Sequence, residues 1–218
     1  LYYNNNMQKI SNNSKKESWE WRVFYQEKKF RNKALEMINL NLPKPKYKSY
    51  IDQYVIIPKL SHNIKLRKIK EQTLEELHIK TIMKNKNNIF KFSQKTIIPF
   101  PILEDGLLKL KNLKILNPNT NTSNLDSLDN IIDVKNNDYL FPVVKKQLTR
   151  YKIKKDVSKL RKKIRLEFAN IHINNIPFKT ISLKCTSMQV ILEILQRLDM
   201  LDLKCTNYVN YIKNLGAK

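Results

Sequence analysis

Residues 18–25 read Ser18-Trp19-Glu20-Trp21-Arg22-Val23-Phe24-Tyr25, and their alternation decides the fold. Trp19, Trp21, Val23 and Tyr25 share one face of an extended chain, while Glu20 and Arg22 share the other; period two is the mark of a strand with two unlike faces. Two more stretches repeat the pattern. In 63–69, Ile64 and Leu66 oppose Lys65 and Arg67; in 74–83, Leu77, Ile79 and Met83 oppose Glu76, His78 and Lys80. Further strands are predicted at 50–57, 139–153, 164–173 and 180–185, a set of about seven or eight in all. Each of the three clearest strands has an apolar face and a charged one.

Helical spacing occurs in three places. Phe30, Ala34, Leu35 and Ile38 mark a first helix; Met188, Ile191, Leu192, Leu195, Leu198 and Leu201 mark a second behind Thr186 or Ser187; Tyr208, Ile212 and Leu215 mark a third ending at Gly216. Ordinary barrels fill their interior with apolar side chains. Strands that turn apolar residues towards helices and charged residues the other way instead fit an α+β fold, an antiparallel tunnel-like β-barrel with a polar lining, flanking helices and a C-terminal helical pair. The alternative is an open sheet with one solvated face.

The chain has 218 residues, 41% of them hydrophobic, which suffices for a buried core in a single domain. We expect a flexible tail at 1–17, one domain at 18–216 and an Asn-rich insertion at about 117–138 (NPNTNTSNLDSLDNIIDVKNND). No apolar run is long enough for a membrane-spanning helix. Two cysteines, Cys185 and Cys205, exclude a disulfide framework, and with three scattered histidines they exclude a structural zinc knuckle. Forty-two basic residues face 19 acidic ones, a formal charge of +23. Most of the basic residues are Lys in an Asn- and Ile-rich chain, a bias that an AT-rich coding sequence also produces. The chain begins at Leu1, which fits removal of an organelle-targeting peptide or an unbuilt start equally well.

The order of elements resembles the triphosphate tunnel superfamily, the CYTH fold of adenylate cyclase, thiamine triphosphatase and fungal-type RNA triphosphatase. Ser18 to Arg22 stands where that family has its Glu-x-Glu-x-Lys signature. Asp52-Gln53-Tyr54 followed by Pro58 is similar to its Asp-x-Tyr strand, 64–67 and 77–80 to its next two basic strands, and 144–151 to its Lys/Arg-rich strand ending in Tyr. Leu195 to Leu215 is similar to its closing helices. The resemblance implies a vestigial anion tunnel lined by Glu20, Arg22, Lys65, Arg67, Glu76, Lys80, Lys146 and Lys184. It also implies a divalent cation held by carboxylates, since hard cations take oxygen ligands. Here Ser18 replaces the first Glu, Ser182 and Lys184 stand where an acidic pair is expected, and Leu148 takes a basic position.

The densest charge lies in 151–165, YKIKKDVSKLRKKIR, where Lys152, Lys154, Lys155, Lys159, Arg161, Lys162, Lys163 and Arg165 are opposed by Asp156 alone. Lysine-rich runs suit phosphate-backbone contacts, and these eight residues are the expected RNA-binding set. With the metal ligands missing, the sequence predicts a chain that is not an enzyme, has no metal or cofactor, and serves as a structural RNA-binding protein of a mitochondrial ribosome. Its expected partners are structured RNA, rRNA in particular, and neighbouring proteins of a large assembly. Two alternatives stand beside this: a metal-dependent triphosphate hydrolase, and an accessory subunit of another organellar complex.

Overall fold

The computed structural model describes residues 17–25, 32, 43–58, 60–68, 75–116, 139–157 and 160–216. The helix expected at 30–38, the insertion at 117–138 and all of the tail before Glu17 fall outside them. Nine strands form one antiparallel sheet: β1 (Ser18–Tyr25), β2 (Lys46–Val55), β3 (His62–Lys68), β4 (Glu75–Lys86), β5 (Ile89–Phe92), β6 (Thr96–Pro99), β7 (Val143–Val157), β8 (Leu160–Ile173) and β9 (Ile176–Cys185). The order is β3-β2-β7-β8-β9-β1-β5-β4-β6, and pairing of β3 with β4 closes eight of them into a barrel, with β6 added alongside β4. The polar-lined barrel expected from the alternation is the observed fold. Its eight-strand wall leaves no open sheet with a solvated face.

Three helices complete the described fold: α1 (Glu104–Asn112), α2 (Met188–Arg197) and α3 (Tyr208–Gly216). The apolar outer faces bury two of them, as the period-two pattern requires. Helix α2 lays Val190, Ile191 and Leu195 against Trp21, Leu166, Ile181 and Leu183, all 2% exposed or less. Helix α1 sets Leu110 on Ile64, Leu77, Ile79 and Ile98 from β3, β4 and β6.

Helix α3 does something different. Its Tyr208, Val209 and Ile212 pack with Tyr54, Val144, Leu148, Ala169 and Ile171 and with Phe24 and Phe178. Phe24 stands opposite Thr180, and Ala169 opposite both Thr180 and Leu148, so these residues lie on the inner face of the wall. The ring of Phe24 stacks on Tyr211 at 3.6 Å, and Phe178 meets Tyr211 edge-on at 5.5 Å. Helix α3 therefore plugs one end of the barrel with aromatic and aliphatic side chains.

The segment before α3 seals a gap in the wall. Strand β5 pairs with β1 only over Ser18, Trp19 and Glu20. Beyond that point the Arg22 amide donates to Cys205 Sγ at 3.2 Å and the Arg22 carbonyl accepts from the Thr206 amide at 2.9 Å. Two hairpins turn on paired asparagines with positive φ, Asn87-Asn88 at 52° and 58° and Asn174-Asn175 at 48° and 70°. Asn reaches the left-handed region more readily than other side chains, and such pairs form the two-residue turns whose twist matches the flanking strands.

Candidate active site

Inside the barrel, above the α3 plug, lies a chamber of charged side chains. Asp52 from β2 is its deepest carboxylate and is fully buried. Burial alone would raise its pKa, but three cations overturn this. Lys146 Nζ donates to Oδ2 at 2.9 Å, Lys65 Nζ donates to the same oxygen at 2.8 Å, and Arg67 donates through Nε at 2.7 Å and Nη2 at 3.0 Å. Together they hold Asp52 far below the usual carboxylate range. Lys146 also donates to the Tyr54 hydroxyl at 2.6 Å and lies 4.1 Å above the Tyr208 ring of the plug. Burial works against its charge, yet Tyr54, Asp52 and Tyr208 raise its pKa. Arg67 stacks over Tyr50 at 3.8 Å.

A second group surrounds Glu20. Arg22 donates to its Oε1 through Nε at 3.2 Å and Nη2 at 3.0 Å, and Lys80 stands 3.9 Å from Oε2. Burial pushes the Glu20 pKa up, and Arg22, Lys80 and Lys184 outweigh it, leaving the group at about 2. Arg22 spans the chamber, donating through Nη1 to Thr180 Oγ1 at 3.0 Å with its guanidinium 4.6 Å over the Tyr208 ring. Lys184 is the uncompensated member. Burial and the adjacent Lys80 depress its pKa to about 7 against the pull of Glu20. On the far wall Arg150 pairs with Glu167 at 2.7 Å, and Arg165 lies 4.0 Å from the same carboxylate.

His78 on β4 faces Lys65 across the β3–β4 ladder. Its Nε2 lies 2.6 Å from Glu76 Oε2, while its buried Nδ1 has no hydrogen-bond partner. Burial, with Lys95, Lys65 and Arg67, lowers its pKa to about 4 despite Glu76, so the ring is neutral at pH 7. The Nε2–H then donates to Glu76 and Nδ1 is left as an acceptor.

All eight residues expected from the sequence to line the tunnel (Glu20, Arg22, Lys65, Arg67, Glu76, Lys80, Lys146 and Lys184) carry register positions or contacts that place them on this inner surface. Asp52, Tyr54, His78, Arg150, Glu167 and Tyr208 also take part in the site and were not among them. Of the basic run, Lys152 and Lys163 are exposed and Arg165 is half-buried. The side chains of Lys154, Lys155, Lys159, Arg161 and Lys162 lie outside what the structure describes.

The carboxylates do not form a divalent-cation site. Among the described residues no three His, Cys, Asp or Glu come together in a way that could hold a metal ion. Ser18 and Ser182 are buried hydroxyls at positions where the resemblance implies acids. Asp52, Glu20 and Glu167 each answer to at least two cationic side chains, so little negative charge remains for a metal. The chamber is suited to an anion. Among the described residues, Arg22, Lys65, Arg67, Lys80, Lys146, Arg150, Arg165 and Lys184 share this lining with Glu20, Asp52, Glu76 and Glu167.

No protein-family model matches the chain, and no curated protein does. Solved structures do. A conserved hypothetical protein from Pyrococcus furiosus is 15% identical with a TM-score of 0.49, over 88% of this chain and 98% of its own. A protein of Bacillus halodurans assigned to the adenylate cyclases is 13% identical with a TM-score of 0.44, over 88% and 95%. The triphosphatase of the Mimivirus capping enzyme is 11% identical with a TM-score of 0.46, over 85% and 88%. The sequence expectation that the chain is not an enzyme is corrected here: similar solved structures bear enzyme names, a capping-enzyme triphosphatase among them. At such identities the likeness concerns the barrel, and residue roles rest on the chamber itself.

Proposed function

We propose that the barrel binds the phosphate chain of a triphosphate and hydrolyses its terminal phosphoanhydride. This takes the place of the non-catalytic ribosomal reading. The observation that carries it is the surplus of cations over carboxylates among the described residues of a chamber closed at one end by α3. A phosphate chain brings negative charge to Lys184 and to Lys80 and Arg165, whose carboxylates stand no nearer than 3.9 and 4.0 Å, and Lys and Arg recognise phosphate through charge-assisted hydrogen bonds.

In the reaction a water oxygen bonds to the terminal phosphorus as the bridging P–O bond breaks. Orthophosphate and a diphosphate leave, and the water's protons pass to the products and solvent. Charge in such a transition state spreads over the equatorial and leaving oxygens, so positioning and electrostatic stabilisation dominate. Lys80, Lys184, Arg22 and Arg150 present fixed cations to those oxygens without reorganising, because Glu20, Thr180 and Glu167 hold the two guanidiniums in place.

The test is orthophosphate release from inorganic tripolyphosphate and from nucleoside triphosphates by the purified chain, beside Lys184→Met. Turnover of triphosphates and not of monophosphates is expected, falling about 100-fold in the variant, as loss of one preorganised charge does elsewhere. No release, or equal release by the variant, would overturn hydrolysis at this site.

A further inference from the structure

Strand β2 pairs with β7 only as far as Lys46 opposite Arg150, and β9 pairs with β8 only as far as Lys184 opposite Arg165. Beyond those points, among the described residues, 151–157 and 160–164 pair only with each other, so the β7–β8 hairpin leaves the barrel wall as a two-stranded ribbon.

Residues directly opposite one another share a face. Arg150 opposite Glu167 belongs to the inner lining, and two residues on, Lys152 stands opposite Arg165 on that same face. Lys163 follows Arg165 by a further two residues, and Lys46 flanks Arg150 from β2. The cationic lining thus continues out of the chamber along the ribbon, at a spacing of about 6.6 Å per two residues. Opposed like charges destabilise a strand pair. Among the described residues no carboxylate pairs with Lys46, Lys152 or Lys163, and Lys46 foremost, with Arg165, Arg150 and Lys163, lowers the proton affinity of Lys152. On the opposite face Ile164 is 2% exposed and Ile153 packs beside it.

We infer that this strip binds the phosphate backbone of a single-stranded polynucleotide. Evenly spaced exposed cations match a polyanion and release its counterions. A membrane surface would need apolar side chains beside the cations, and on this face the ribbon offers none. A single file of cations tracks one backbone, as sites for unpaired strands do.

The full chain is titrated into a fluorescein-labelled oligouridylate, with anisotropy read between about 50 and 200 mM salt. The variant Lys46→Ala/Lys152→Ala/Lys163→Ala removes three exposed charges and should flatten the slope of log K against log salt by about two units, at roughly 0.7 per phosphate contact on a single strand. Tripolyphosphate binding by the triple variant should be unchanged, and oligouridylate binding by Lys184→Met should be unchanged, so failure of this inference and failure of the triphosphate reading are separable. Unchanged slope and affinity in the triple variant would overturn the inference. So would tighter binding to a duplex of the same length, or to phosphatidylserine–phosphatidylcholine vesicles, than to the single strand.

Discussion

Replacing Asp52 by Asn removes the one negative charge at the centre of three buried cations while keeping the side chain's shape. Lys65, Lys146 and Arg67 then remain within 3.0 Å of a neutral amide, in a place with no access to water for the carboxylate they served. Removing one partner from a buried ion cluster costs about 3–5 kcal/mol. For a chain of this size that lowers Tm by roughly 6–20 °C, at about 2–4 °C per kcal/mol. The pH dependence has a definite sign. The folded-state pKa of Asp52 is depressed from its ordinary value of 3.8, so its contribution is complete above that value and is lost as pH falls through the lower folded one. The gap between wild type and variant should therefore be constant from neutral pH down to about 4 and close below it. Tripolyphosphate should narrow the gap at neutral pH, because its charge takes the place of the missing carboxylate. Ligand at 100 times its Kd adds about 2.7 kcal/mol to either protein, and the variant's lower Kd adds more. Calorimetric melts with and without tripolyphosphate measure all of this. A Tm loss below about 3 °C, or weaker stabilisation of the variant than of the wild type by tripolyphosphate, would refute the electrostatic reasoning.

Lys184 makes the second prediction. Its pKa of about 7 lies below the ordinary 10.5, so the unfolded chain binds the extra proton between those values and stability rises with pH across that window. Urea melts should show that rise in the wild type and a smaller one in Lys184→Met. Over the same neutral range the affinity for tripolyphosphate should fall as Lys184 loses its charge, and the difference in Kd between wild type and Lys184→Met should vanish by pH 9. Gly106→Ala should destabilise by about 1–3 kcal/mol in chemical melts, reversing the usual helical gain of alanine, because the new Cβ would lie 2.7 Å from Cγ2 of both Ile98 and Ile102. Cys185 and Cys205 are buried, and burial pushes the Cys205 thiol up to about 12, so a thiol reagent should label neither until denaturant is added.

The barrel was legible wherever alternation was strict. Glu20 and Arg22 between two tryptophans, and Lys65 and Arg67 around Leu66, state which face is wet, and the structure puts those faces inside. Strands β5 and β6 were missed because four residues each are too few for a period to show. Helix α1 was missed because Gly106 interrupts its first turn, although Glu104 and Asp105 before Lys109 and Lys111 form the charge order that a helix dipole favours. Asp52 escaped the list of lining residues because a single acid among tyrosines gives no periodic signal. Only closure of β2 against β3 and β7 brings Lys65, Arg67 and Lys146 to it. Tyr208 was legible as a core residue of a helical stripe, but its place beneath Arg22 and Lys146 depends on a helix entering a barrel end, which no local pattern encodes. The ribbon's charge was plain, while the continuity of its face with the tunnel lining emerged from register alone.

The most direct test of the central claim is calorimetric titration of the chain with inorganic tripolyphosphate and, separately, with orthophosphate, for wild type and Lys184→Met at pH 6.5. Lys184 is charged in the folded protein below about 7, and its removal leaves every ion pair around Asp52 intact. The account predicts one tripolyphosphate per chain, much weaker orthophosphate binding, and a loss of about tenfold or more in tripolyphosphate affinity in the variant, the worth of one charge-assisted hydrogen bond. Absence of tripolyphosphate binding, or the same affinity in both proteins, would contradict it.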